Sequence, residues 1–260
     1  MNTTKNLIAG SLLLLSVIIA AVVIARPGKQ KQPATFKAPG FAVLELFTSE
    51  GCSSCPPAEK LLSRIQEQVG NTPVYVLAYH VDYWDHQGWK DAFSDAAFSA
   101  RQYDYSRQFT GQVYTPQLIV NGKAEYIGSD EAAISSAMTH ALGDSATATL
   151  QLQGSLLQDK LTVSYAMAGN VRKPQLQLAI VQRNAVSHVR AGENAGRTLP
   201  HVQIVRKLVA CNLKGANTGS QSVEVPAGFN TQEWEVIGLL QDQQSGAIAA
   251  VARVNILAGK

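Results

Sequence analysis

The chain has 260 residues, enough for two domains, and 46% of them are hydrophobic while 16% are charged. This balance is typical of a globular protein and excludes a disordered chain. The formal net charge of +3 is small, and the basic residues form no stripe along the sequence. A nucleic acid is therefore not expected as a partner.

The N-terminal residues 1–25 predict a signal peptide or a membrane anchor. Lys5 is followed by an uncharged apolar run over residues 7–25, which ends in small residues. As a helix this run would nearly span a bilayer, so a membrane tether is an alternative to cleavage. The remainder is expected to be exported, either periplasmic or anchored to the inner membrane and facing the periplasm, where disulfides persist. Residues 26–39 contain three prolines and predict a linker.

Residues 40–145 predict an α/β domain with the order strand, helix, strand, helix, strand, strand, helix. The first strand is expected over residues 41–47, and the first helix is expected to stop at Gly70. The second helix is predicted over residues 90–109. The dipeptide Asn121-Gly122 is a strong hairpin signal and predicts two antiparallel strands around it.

In residues 146–260 apolar and polar residues alternate with a period of two, and this pattern predicts an all-β antiparallel sandwich domain. Apolar and polar residues alternate around Leu150, Leu161 and Leu178. A polar loop over residues 192–201 separates two of the apolar runs. It predicts either a plain surface loop or a lid over the first domain.

Two cysteines, Cys52 and Cys55, lie where the first strand meets the first helix, and the sequence between them is Ser-Ser. Cys52 falls at or just before the predicted helix start, where unpaired N–H groups and the helix dipole favour a thiolate. No second Cys-x-x-Cys follows to complete a zinc site, and Pro56 excludes a c-type haem motif. The pair predicts a redox-active disulfide, with no other cofactor expected.

The polar aromatic segment after the second strand offers a weaker set of candidates. His80, Asp82, Asp85 and His86 could supply nitrogen and oxygen ligands to a metal. The preferred interpretation is that the two aspartates cap the next helix and that Trp84 packs or lines a peptide groove, so no metal site is predicted.

The third cysteine, Cys211, lies in an apolar run. It predicts a buried free thiol, with pairing between two chains as the alternative.

In the lid interpretation, the loop over residues 192–201 folds back onto the first domain. Glu193 or His201 would then border the substrate groove. Arg197 would pair with a carboxylate, with Asp82, Asp85 and Glu50 as candidates, because its guanidinium forms two parallel bonds.

Several of these stretches together resemble a known family. They cover residues 45–58, 80–85, 88–91, 114–117 and 192–206, and include the Cys-Ser-Ser-Cys and Tyr-Thr-Pro-Gln sequences. They are similar to a family of exported bacterial proteins known as domain of unknown function 1223, which is placed in the thioredoxin-like superfamily. The resemblance implies a thioredoxin-like first domain. It also implies that Pro116, after Thr115, forms a cis bond against the cysteines.

The same superfamily places a buried acid on the strand before its cysteines to move the proton of the resolving thiol. Glu45 is the matching candidate here, and a half-exposed strand carboxylate is the alternative. Cys52 is expected to attack and Cys55 to resolve the mixed disulfide.

The predicted function is a thiol-disulfide oxidoreductase that acts on protein or small thiols. One alternative is a non-enzymatic binding module on a thioredoxin fold, such as a copper-handling protein, since thiolates suit Cu(I). Another is a structural envelope protein.

Overall fold

The computed structural model describes residues 39–109 and 111–257. This part of the chain forms a mixed α/β structure in which strands dominate. Its helices are α1 (Pro56–Gln68), α2 (Ala96–Ser106) and α3 (Glu131–Gly143). Its first six strands are β1 (Ala42–Thr48), β2 (Val74–His80), β3 (Gln117–Val120), β4 (Ala124–Ile127), β5 (Ala148–Leu157) and β6 (Lys160–Gly169). The others are β7 (Pro174–His188), β8 (Thr198–Cys211), β9 (Thr218–Glu224), β10 (Trp234–Asp242), β11 (Ile248–Arg253) and β12 (Asn255–Leu257).

The predicted N-terminal segment, residues 1–25, lies outside the described residues, and so does nearly all of the predicted linker. Within the part of the chain that is described, no helix is both long and apolar enough to cross a membrane.

Eight strands form one large sheet in the order β11-β10-β7-β8-β2-β1-β3-β4. β1 pairs in parallel with β2 and antiparallel with β3. β2 and β8 meet through a parallel bridge between Ala78 and Ile204. The sheet therefore continues across residue 146, where the sequence pattern predicts the start of a second domain.

A second sheet, in the order β12-β5-β6-β9, packs on one end of the large sheet. Buried residues of β5 and β6, such as Leu152 and Leu161, share a core with Leu178, Val236 and Trp234 of β7 and β10. The predicted alternation in β5 and β6 is confirmed, because their apolar residues alternate with exposed polar ones.

β1 is central, and all seven of its residues are buried. Leu44 and Leu46 face the core that contains α1 and α3, whereas Val43 and Phe47 face the core that contains α2. A strand that is buried on both faces has apolar residues in an almost continuous run, which explains the apolar sequence of β1. Its C-terminal end delivers the chain to the turn that holds the two cysteines.

The local signals around β3 and α1 are confirmed. Asn121 and Gly122 have the positive φ values 51° and 65° in the three-residue turn between β3 and β4, and Lys123 N donates to the Val120 carbonyl at 2.9 Å. The Asn121 side chain also accepts from Val43 N at 2.6 Å and donates to the Phe41 carbonyl at 2.9 Å. Gly70, with φ of 50°, follows α1.

The predicted start of α2 is wrong. The helix begins at Ala96 and not at residue 90. Asp95 is its N-cap, and the side chain accepts a hydrogen bond from Ala97 N at 2.8 Å. The residues before it form a turn whose Phe93 packs against the ring of His80.

Candidate active site

The turn between β1 and α1 places the two cysteines side by side. α1 begins at Pro56, where a missing N–H costs nothing, and Cys55 is its N-cap. Cys52 lies one turn earlier, and its carbonyl accepts from Cys55 N at 3.2 Å. Both are free thiols, and their exposed fractions are 1% and 0%. The two thiols therefore lie together but are shielded from solvent.

The two thiols differ in acidity. A hydrogen bond from Cys55 lowers the pKa of Cys52 to about 6, against the effect of burial, and Ser54 adds a further bond. The Ser54 hydroxyl lies 3.2 Å from Cys52 Sγ. Burial, and then the bond to Cys52, raises the pKa of Cys55 well above its usual range. Near neutral pH one thiolate is expected, and it lies on Cys52.

The segment before β3 lies against this pair. The Thr115–Pro116 peptide bond is cis, as the resemblance implied. Cys52 Sγ lies 3.7 Å from the Thr115 carbonyl oxygen. The half-buried Trp84 donates from Nε1 to Thr115 Oγ1 at 2.9 Å and so fixes this side of the site.

The loop between β7 and β8 folds onto the cysteine turn, as the lid interpretation predicts. Asn194 is fully buried, and its Nδ2 donates to the carbonyls of Glu50 and Cys52, each at 2.9 Å. Glu193 is exposed and accepts from Ser53 N at 3.0 Å. Asn194, which was not predicted as a site residue, attaches the loop together with Glu193.

The predicted ion pair of Arg197 is wrong. Its guanidinium donates to Asn194 Oδ1 at 2.7 Å, within the loop itself. Among residues 39–109 and 111–257, no carboxylate lies within ion-pair distance of Arg197. Its structural role is to orient the amide of Asn194.

His201 is buried beneath the loop and does not line an open groove. Its Nδ1 lies 2.5 Å from Glu59 Oε2, and its Nε2 lies 3.4 Å from Glu50 Oε1. Burial lowers the pKa of His201, but the two carboxylates outweigh it and raise the pKa to about 10. Glu59 was not predicted as a site residue, because nothing local shows that α1 and β8 meet.

His80 belongs to the same buried region. Its Nδ1 lies 2.6 Å from Asp91 Oδ2, and its ring packs 5.1 Å from that of His201, centroid to centroid. The alternative that groups His80 with Asp82, Asp85 and His86 as metal ligands is not observed among the described residues.

Asp82 and Asp85 organise the chain before α2. The carboxylate of Asp82 accepts from the Ser99 hydroxyl at 2.5 Å, on the first turns of that helix. Asp85 accepts from Asp91 N at 3.2 Å and from the Ser94 hydroxyl at 2.8 Å. Neither aspartate is the N-cap of α2, but both fix the segment that leads to it.

Glu45 is fully buried, which excludes the half-exposed alternative. Arg101 Nε and Nη2 lie 2.7 and 2.6 Å from its Oε1, and the Tyr105 hydroxyl donates to its Oε2 at 2.5 Å. Both carboxylate oxygens are therefore engaged by α2. The predicted proton transfer from Cys55 has no supporting contact among the described residues.

A different acid lies near Cys55. Glu59 follows it by one helical turn, and its backbone N donates to the Cys55 carbonyl at 3.2 Å. The Thr48 hydroxyl donates to Glu59 Oε1 at 2.8 Å and also interacts with the Cys55 thiol.

Cys211 lies at the end of β8, far along the sheet. It is a buried free thiol, as predicted, and burial raises its pKa to about 11. A protonated, buried thiol of this kind is inert.

Comparison with known proteins finds one family model, described as protein of unknown function (DUF1223), that matches residues 43–241. No curated protein matches the chain. A protein from Agrobacterium tumefaciens with a known crystal structure shares 25% sequence identity with this chain. The two structures match with a TM-score of 0.63, over 85% of this chain and 96% of that one. HBP35 of Porphyromonas gingivalis is 14% identical, with a TM-score of 0.60 over 85% of this chain and 78% of that one. The matched region includes the cysteine turn and the loop over it.

Proposed function

The chain belongs to the family of proteins of unknown function DUF1223, and we propose that it is a thiol-disulfide oxidoreductase acting through Cys52 and Cys55. The main support for this proposal is the difference in pKa between two thiols that lie in a single turn. Hydrogen bonds favour a thiolate at Cys52, whereas burial keeps Cys55 protonated. A thiol-disulfide exchange requires one thiolate that attacks the substrate disulfide and a second thiol that later resolves the mixed disulfide.

The chemistry follows from that division. The Cys52 thiolate attacks one sulfur of a substrate disulfide, forms a mixed disulfide and releases the other sulfur as a thiolate. Cys55 then loses its proton to the departing thiolate or to solvent and attacks Cys52. The Cys52–Cys55 disulfide closes, the second substrate thiol leaves, and two electrons have passed to the substrate. The reverse sequence oxidises a dithiol.

The surroundings of the pair support a superfamily assignment as part of the proposal. The order β1, α1, β2, α2, β3, β4, α3 and the cis proline just before β3 agree with a thioredoxin-like domain over residues 40–145. We assign the remaining strands to a sandwich that supplies the covering loop. The apolar run over residues 7–25 supports export, with the reaction taking place in the periplasm or at the outer face of the inner membrane.

Access to Cys52 requires movement of the covering loop. The thiol is 1% exposed, and Asn194 closes the loop on it through two hydrogen bonds. Glu193 and Trp84 lie at the margin and are the natural contacts for an incoming protein or small-thiol disulfide. The loop then acts as a lid that opens for substrate.

Trapping of mixed disulfides tests the proposal. The experiment uses a Cys211→Ala background, so that only the pair reacts. Cys55→Ala should accumulate mixed disulfides with protein or small-molecule disulfides, whereas Cys52→Ala should not. The unsubstituted pair should change from dithiol to disulfide across a series of glutathione ratios, and the midpoint gives the reduction potential. Equal alkylation rates for the two thiols, or a pair that never closes, would exclude the function.

A further inference from the structure

A buried group of histidines and carboxylates lies behind the cysteine turn, and the thiol chemistry does not use it. We call it the histidine–carboxylate cluster. Its members are Glu50, Glu59, His80, Asp91 and His201, each 0–8% exposed. They come from the cysteine turn, α1, β2, the turn before α2, and β8.

Both histidines are held in the same way. Nδ1 of His80 bonds to Asp91 at 2.6 Å, and Nδ1 of His201 bonds to Glu59 at 2.5 Å. Since a carboxylate only accepts, each Nδ1 carries the proton, and Nε2 is the atom left over. His80, which donates Nδ1–H to a carboxylate and presents its other nitrogen, has the usual arrangement of a metal ligand.

The left-over atoms are poorly paired. Nε2 of His80 is buried and has no hydrogen-bond partner in this part of the chain. Nε2 of His201 and Oε1 of Glu50 are also buried, and they meet only in an ion-pair contact at 3.4 Å. Leaving a buried polar atom without a partner costs roughly 1–3 kcal/mol. The unpaired nitrogen of His80, beside three buried carboxylates, therefore points to a missing cation.

The donor atoms also converge. Glu59, His80 and His201 can each offer one ligand atom such that all three atoms lie within 4.8 Å of one another. Glu50 Oε1 lies 3.4 Å from His201 Nε2 and adds negative charge beside them. The two imidazole rings meet edge to face, with centroids 5.1 Å apart.

Protons alone do not complete the cluster. A proton on His201 Nε2 would have Glu50 as a distant acceptor, but a proton on His80 Nε2 would have none. A metal ion bound by Nε2 of His80 and by the facing Nδ1 of His201 and Oε2 of Glu59 would take the place of the proton that those last two atoms share. It would leave the Nε2–H of His201 directed at Glu50 and would offset the three buried carboxylates, which otherwise require pairing.

We propose that the histidine–carboxylate cluster binds one divalent transition-metal ion, such as Zn²⁺, through His80, His201 and the carboxylate of Glu59. Two imidazoles and one carboxylate form a known zinc ligand set. The ion would join β2, β8 and α1 behind the cysteines. A pocket of about 300 Å³ between α1 and β8 reaches Glu59 and provides a route for entry.

The test uses untagged, chelator-treated full-length protein and Zn²⁺ alone as the probe. We expect one Zn²⁺ per chain by equilibrium dialysis and elemental analysis, together with a rise in melting temperature. His80→Gln, His201→Gln and Glu59→Gln should each abolish the stoichiometric binding, and Asp91→Asn, at the residue that holds His80 Nδ1, should weaken it by about 10- to 100-fold. His188→Gln is the matched control, because that histidine is exposed and its side chain bonds to Thr198.

Two further measurements distinguish loss of the metal site from misfolding and from metal binding by the cysteines. Circular dichroism establishes that each variant is folded before its binding is measured, and His80→Gln stands in if His201→Gln does not fold. Cys52→Ser with Cys55→Ser separates this site from thiolate binding and should leave the stoichiometry at one. Loss of binding in the cysteine variant with retention in both histidine variants would overturn the proposal. So would a wild-type protein that takes up no Zn²⁺.

Discussion

Two groups of buried charge lie on opposite sides of the large sheet, and they differ in how completely they are paired. Around Glu45, the Arg101 guanidinium and the Tyr105 hydroxyl engage both carboxylate oxygens. Arg101 also donates to Gln177 at 2.6 Å and lies over the rings of Tyr79 and Tyr105. In the histidine–carboxylate cluster, by contrast, Nε2 of His80 has no hydrogen-bond partner among the described residues, and Nε2 of His201 meets Glu50 only at 3.4 Å.

This difference separates a structural role from a functional one. A fully bonded ion pair holds its elements in one arrangement, and any change leaves a buried charge exposed to an apolar core. A cluster with free ligand atoms and excess negative charge is incomplete without a further group. The cysteine turn is attached to the incomplete side through Glu50.

The largest effect is expected from a matched pair of substitutions, one in the Glu45 group and one in the histidine–carboxylate cluster. Glu45→Gln leaves Arg101 buried without its counter-charge and should lower the free energy of unfolding by about 3–5 kcal/mol. Glu50→Gln keeps an acceptor for Trp89 Nε1, which donates to Glu50 Oε2 at 2.6 Å, and removes surplus negative charge. We expect a loss of no more than about 1 kcal/mol.

Urea unfolding of metal-free protein measures both values. Arg107→Ala, which removes an exposed pair with Asp104, serves as the surface control and should change little. Equal losses for Glu45→Gln and Glu50→Gln would show that the two clusters do not differ.

The second prediction concerns the loop that closes over the cysteine turn. Asn194→Ala removes two hydrogen bonds, to the carbonyls of Glu50 and Cys52. At about 1 kcal/mol each, their loss should raise the open fraction of the loop and speed alkylation of Cys52 by about 10- to 30-fold. Rates of iodoacetamide labelling, read by mass spectrometry at this cysteine, measure the change. Ala195→Ser on the exposed side of the same loop should leave the rate unaltered.

The third prediction is a pH profile for the same thiol. Because the pKa of Cys52 is lowered to about 6, its thiolate persists above that pH and is lost as the pH falls through it. The alkylation rate should therefore reach half of its plateau near pH 6 and level off about one to two pH units higher, whereas an ordinary thiol reaches half of its plateau only near pH 8.5. Ser54→Ala removes one stabilising bond and should move the midpoint upward by less than about one pH unit. A midpoint near that of an ordinary thiol in the unsubstituted protein would contradict the prediction.

Local signals in the sequence predicted much of the fold. Asn121-Gly122 marks a hairpin because both residues must adopt positive φ, and few other residue pairs do so easily. The period of two in β5 and β6 reflects one buried and one solvated face. The start of α2 was missed although Asp95 is a good N-cap, because the apolar residues of the preceding turn imitate the helical spacing.

The site could be predicted only in part. Cys52, Cys55 and Pro116 were found because their motifs are short and carry recognisable chemistry. The contact between Glu59 and His201 joins residues 142 positions apart, and it depends on a sheet that runs from β2 into β8. No periodicity or turn signal specifies such a pairing, so the histidine–carboxylate cluster emerges only from the tertiary structure.

The last prediction concerns Arg197 and has the smallest expected effect. Its guanidinium contacts Asn194 and no carboxylate in the described ranges, so its removal leaves both clusters paired as before. What is lost is one bond that orients the Asn194 amide, worth about 1 kcal/mol at a partly solvated position. Arg197→Ala should speed alkylation of Cys52 by about fivefold, less than Asn194→Ala, and should not add to it in the double variant, because both act on the same contact. Arg190→Ala, at an exposed arginine just before the loop, is the matched control. Additive effects, or a loss of global stability in Arg197→Ala, would instead indicate that Arg197 contacts a second partner when the loop opens.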